Sequence, residues 1–110
     1  MSTHFRHQSL ADGRWYSFSL SEQLGNIGSE VNRAIKARGD AVRFDHAVER
    51  GLELFDLTLS DPRWRKRLKE IARARELFCD AAWGNSEYGT SLEDLNVYFN
   101  YFALAARTLR

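Results

Sequence analysis

Three histidines, a single cysteine and a dense run of bases are the side chains of this sequence with chemistry to offer. His4 and His7 lie in an aperiodic N-terminal stretch and His46 on a helical pattern. None has a cysteine or carboxylate at a recurring ligand spacing, so no metal is expected. His46 has Asp45 and Glu49 near it in sequence, but adjacent residues face different sides of a helix, which argues against an acid–base pair. Arg38 and Arg43 stand at the wrong distances from His46 for the arginine–polar–histidine spacing of a helical ribonuclease. A small hydrolase would need a polar pocket between helices that contains His46. Cys79 follows Phe78 on a helix flank and reads as a structural thiol. No glycine-rich phosphate loop and no GxSxG elbow occur, so neither an enzyme nor a cofactor is expected.

The bases are the sharpest feature. Between Pro62 and Glu76 stand Arg63, Arg65, Lys66, Arg67, Lys69, Arg73 and Arg75 against Glu70 and Glu76, a local charge of +5 in a chain whose formal net charge is only +1. If a helix starts at Pro62, the first four bases crowd its N-terminus, where the macrodipole disfavours cations. Arg65, Lys69 and Arg73 then form a row at four-residue spacing beside Lys66. Two uses compete. The bases can pair with the acidic stripe Asp45, Glu49, Glu53 and Asp56 of the preceding helix. Alternatively they face outward with Trp64 beside them, as an anion site for nucleic-acid phosphates, which guanidinium groups grip bidentately.

The elements that must position these residues are helical throughout. Helices are expected at about 19–37, 41–59, 62–83 and 91–108, in an all-α, up-down-up-down four-helix bundle. Ser19 with Glu22 and Thr90 with Glu93 read as capping boxes, Gly39 as a left-handed cap, and Asp40 and Asp61 as N-caps. Pro62, the only proline, fits the first position of a helix. Gly25, Gly28 and Ser29 leave a shallow groove on the first helix, a cost in helix propensity that close approach of another helix or subunit would offset. The second helix carries an apolar arc wide enough to be buried on more than one side. The last helix is nearly apolar all round, and its Tyr98, Tyr101, Phe102 and Leu104 are expected to meet another subunit.

At 110 residues the chain is one domain, 15–110, preceded by a flexible arm at 1–14. Its 44% hydrophobic content suffices for a core, and the lone cysteine suits a reducing compartment. There is no apolar leader and no run long enough to span a membrane, so a cytoplasmic location is expected.

The phrases NIGSEVNRAI (26–35), ERGLELFDLTLSDPRW (49–64), RLKEIARARELFCD (67–80) and YGTSLEDLNVYFNYFALAAR (88–107) resemble a set of small uncharacterised prokaryotic proteins of this length. In architecture the chain is similar to the four-helix-bundle proteins encoded by ribosomal RNA intervening sequences and to the accessory variability determinants of diversity-generating retroelements. That resemblance implies a pentameric barrel that binds a reverse transcriptase and its RNA template through basic surfaces. The expectation is therefore a non-catalytic, homo-oligomeric scaffold binding RNA, DNA or a nucleic-acid enzyme through Arg63, Arg65, Lys66, Lys69 and Arg73. The alternative is a protein-binding regulatory module, antitoxin-like or a partner subunit, without nucleic-acid contact.

Overall fold

The structure, a computed structural model, describes residues 13–84 and 87–108. The expected arm therefore lies mostly outside the described residues. A 3-10 helix, Arg14–Ser17, leads into α1 (Leu20–Lys36), α2 (Ala41–Leu59), a second 3-10 helix (Pro62–Arg67), α3 (Leu68–Trp83) and α4 (Leu92–Thr108). Each long helix runs antiparallel to the next, and α4 closes back along α1 to complete a four-helix bundle.

Local sequence explains most of the boundaries. Ser19 Oγ accepts from the Glu22 amide while Glu22 returns a carboxylate to the Ser19 amide, which is the expected capping box. Gly39, at φ +96°, turns the chain, and Asp40 accepts from the Arg43 amide to start α2. The start of α4 differs from expectation by one residue. Ser91 and Asp94 form the reciprocal pair there, because the Glu93 carboxylate reaches across to Arg38 at the far end of α1.

The core is built on rings and close backbone approach. Phe55 of α2 lies 5.9 Å from Phe78 of α3 and 5.8 Å from Phe99 of α4, centroid to centroid, and all three are fully buried. The glycines of α1 explain how α4 approaches so closely. A Cβ on Gly28 would stand 2.6 Å from the Phe99 Cβ, and one on Gly25 would stand 3.0 Å from the Ala103 Cα. The groove anticipated in the sequence is therefore filled within the chain by α4. Gly51 of α2 likewise makes room for the Phe78 ring, 2.8 Å from where its Cβ would be.

The stretch after Pro62 is not the start of a long α-helix. Residues Pro62–Arg67 form a 3-10 helix with Trp64 outside helical geometry at φ −101° and ψ 23°, and α3 begins at Leu68. A buried polar cluster accounts for the break. Gln23, fully buried, donates to the Trp15 carbonyl and to Asp61 Oδ2 and accepts from the Trp64 indole at 2.8 Å. Trp15, also fully buried, donates to Thr58. Pulling the Trp64 ring inward to Gln23 costs the backbone its α geometry. The exchange satisfies groups that would otherwise be buried without partners.

Candidate nucleic-acid interface and a second basic cleft

The geometry divides the basic run into spent and unspent charges. Arg63 is spent. Its guanidinium donates to both oxygens of buried Asp61 and, at 2.7 Å, to the Phe18 carbonyl, while its plane lies over the Trp64 ring. This contact, chiefly the side-chain hydrogen bonds from Arg63, holds the Asp61 carboxyl below the usual carboxylate range. Arg67 pairs with Glu70 one turn on at 2.7 Å, and Arg75 pairs with Asp56 of α2 at 2.9 Å. Arg75 and Asp56 are thus the one place where the basic run meets the acidic stripe of α2 among the described ion pairs.

Arg65, Lys66, Lys69 and Arg73 remain. All four are exposed, and none forms an ion pair among the described residues. Arg73 lies 4.6 Å above the Tyr88 ring, which fixes its guanidinium without neutralising it. The change from 3-10 to α geometry between Arg67 and Leu68 interrupts the expected four-residue row. Lys69 and Arg73 keep that spacing on α3, while Arg65 and Lys66 belong to the preceding 3-10 turn. Trp64 is half-buried and hydrogen-bonded to Gln23, so its ring belongs to the interior cluster.

The four aromatic and aliphatic residues expected to meet another subunit face two ways. Tyr98 and Phe102 are partly buried against the core, with ring centroids 5.3 Å apart. The Tyr98 hydroxyl donates to Glu70 at 3.0 Å, and burial, followed by that bond, pushes its pKa up to about 12. Tyr101 and Leu104 point outward, 69% and 54% exposed, and Val97 joins them at 57%. Residues 97, 101 and 104 stand at helical spacing and form one exposed apolar stripe along α4.

One grouping was not visible in the sequence. Arg33, Lys36 and Ala37 of α1 and its C-terminal turn face Arg43, His46, Ala47 and Arg50 of α2 across an open cleft of about 340 Å³. Its bases are spread over the end of one helix and the start of the next, so no run appears in the sequence. The cleft does place His46 in a polar pocket between helices. Its lining holds no carboxylate, hydroxyl or thiol to act with that imidazole. Another cleft, between α3 and α4, has an apolar floor of Ala74, Leu77, Leu95 and Tyr98. Among the described residues no group of histidine, cysteine and carboxylate side chains is placed to hold a metal, and no helix is long and apolar enough to cross a membrane. Cys79 is half-buried and unbridged.

Compared with known proteins, the chain matches no described protein family, no curated sequence and no solved structure. What stands on the geometry is a small all-helical domain with four helices packed as a bundle, two separate basic surfaces and one exposed apolar stripe.

Proposed function

We propose that the protein is a non-catalytic, self-associating accessory protein that binds nucleic acid, or an enzyme working on nucleic acid, through Arg65, Lys66, Lys69 and Arg73. The observation that carries this reading is that these four bases stay exposed and unpaired among the described residues, although an acidic stripe lies on the neighbouring helix. Bases needed only for folding would be drawn into pairs, as Arg63, Arg67 and Arg75 are. Arg63 joins the site only as its inner wall. Four cations on one end of a bundle give a field that attracts phosphates and falls with ionic strength. The architectural resemblance to retroelement accessory proteins and intervening-sequence proteins is in keeping with this use, with RNA and a reverse transcriptase as the kind of partners it implies.

Filter binding of a single-stranded RNA at 50 and 200 mM salt tests the reading. Binding should weaken by about 50-fold over that range for four phosphate contacts on a single strand, and Lys66→Glu with Lys69→Glu should abolish it. Affinity that is absent, or indifferent to salt, rejects it. A second reading, a protein-binding regulatory module, is favoured by the Val97, Tyr101 and Leu104 stripe, an apolar surface suited to a protein partner. Under that reading the same double charge reversal would release a protein partner and leave no RNA binding to lose.

A further inference from the structure

We infer that the cleft between the C-terminal half of α1 and the N-terminal half of α2 is a second anion site, built for the phosphate chain of a small polyphosphate, inorganic or carried by a nucleoside triphosphate. Arg33, Lys36, Arg43 and Arg50 bring four permanent cations to its walls, and His46 adds an imidazole. The carboxylate nearest to this group is that of Glu30, whose side chain is 5% exposed, and it holds two of the four. It accepts from Arg33 at 2.7 Å and from Arg50 at 3.2 Å. A buried carboxylate needs such partners, so this part of the cluster has a folding role.

The remainder is not accounted for by folding. Arg50 spends only its Nε–H on Glu30 and Arg33 only its Nη1, so each guanidinium keeps several N–H donors for another acceptor. Glu30 thus acts as an anchor that orients two arginines while leaving their outer edges available. Lys36 and Arg43 form no ion pair among the described residues. Lys36 is well placed in the last turn of α1, where it complements the dipole. Arg43 sits in the first turn of α2, which contains no acid, and there a cation is disfavoured. The carboxylates of Asp40 and Asp45 form no ion pair with these bases among the described residues: Asp40 accepts from the Arg43 backbone amide as the cap of α2, Asp45 accepts from the Trp83 indole on α3, and Glu49 is also engaged. An unpaired base held against a helix dipole, facing two pre-oriented arginines and a lysine across a concavity, fits an anion with several charges.

The volume, about 340 Å³, suits a small ligand. Ala37 and Ala47 are the only apolar residues of its lining, beside four cations and an imidazole, so the phosphate chain is the part of a ligand that the site is built to hold. The site is distinct from the Arg65–Arg73 surface. Antiparallel packing, with Arg75 beside Asp56, sets Arg73 level with the last turn of α2, while His46 lies in its second turn, on the order of 15–20 Å away along the axis.

Isothermal titration of the full chain with inorganic tripolyphosphate at 150 mM salt should show saturable one-to-one binding. Lys36→Glu with Arg43→Glu should weaken it at least tenfold, and Lys66→Glu with Lys69→Glu should change it less than threefold. Amide shifts in the unmutated protein supply a check that needs no variant: the amides of 33–37 and 43–50 should move most on titration. Equal affinity for tripolyphosphate and ATP makes the phosphate chain the whole ligand, and tighter ATP binding makes it a nucleotide; both support the site. Absence of saturable binding, shifts centred on residues 63–73, or equal losses in the two double variants overturns it. RNA binding at the other surface can fail without touching this result.

Discussion

Single residues carry unusual weight in this bundle because its interior is partly polar. Gln23 joins Trp15, Asp61 and Trp64 with three hydrogen bonds at a fully buried position. Gln23→Ala should destabilise the protein by about 2–4 kcal/mol in urea unfolding, since it opens a cavity and strands buried polar groups. Asp61 makes the same cluster sensitive to acid. Its carboxyl titrates below the normal range because Arg63 stabilises the charged form. Its contribution is present at neutral pH and is lost as pH falls through the unfolded value near 4 and then the lower folded one. Asp61→Asn should therefore lower the melting temperature clearly at pH 7, and the gap between variant and native protein should narrow steadily as pH falls below about 4. Tyr98 works in the opposite direction. Its raised pKa favours the neutral phenol in the fold, so the stability it contributes is complete below about pH 10 and is lost as pH rises toward about 12. Ultraviolet titration should show a tyrosine step near pH 12, and Tyr98→Phe should remove it.

At the scale of elements, the sequence was clearest where one local rule acted alone. The Ser19–Glu22 box, the Gly39 turn and the Asp40 cap all stand where residue type and spacing put them. It was misleading where a distant partner outbid the local rule. Glu93 is drawn to Arg38, so capping falls to Ser91 and Asp94, and Trp64 is drawn to Gln23, so the helix after Pro62 is delayed to Leu68. Because of that delay, the bases up to Arg67 precede the first turn of α3, which carries Glu70, and the expected conflict with its dipole is reduced. The cleft around Arg43 was illegible for a related reason. Only the pairing of α1 with α2 brings its bases together, and only the burial of Glu30 decides which way two of them point. The glycines of α1 could be read as a groove but not as a groove for α4. Gly28→Ala should cost about 1–3 kcal/mol despite the gain in helix propensity, because its methyl would overlap the Phe99 Cβ and push α4 away. Chemical unfolding of that variant beside Ser29→Ala, an exposed neighbour, separates packing from propensity.

The molecule as a whole presents one surface that the bundle itself does not use. Helix α4 spends Leu95 and Phe99 on the core and packs Tyr98 and Phe102 beside it, yet it leaves Val97, Tyr101 and Leu104 in line on the outside. Three large apolar side chains in one row exceed the scattered exposure that solubility tolerates at no cost, and covering them with a second copy would remove them from water. None of the three lines the α1–α2 cleft or belongs to the Arg65–Arg73 group, so self-association through the row would multiply the two proposed phosphate sites without using their bases. Repetition of a weak site in this way raises avidity steeply, because later contacts become intramolecular. Native mass spectrometry, or light scattering after gel filtration, should therefore give a particle larger than 12.7 kDa, with five copies if the barrel architecture holds. Tyr101→Glu with Leu104→Glu should return it to a monomer that melts cooperatively, since both side chains are more than half exposed in the single chain. In that monomer RNA affinity should fall at least tenfold while tripolyphosphate affinity at the α1–α2 cleft stays unchanged. A monomeric parent protein, or RNA binding that survives the double substitution at full strength, would separate the stripe from the function and leave it to a different protein partner.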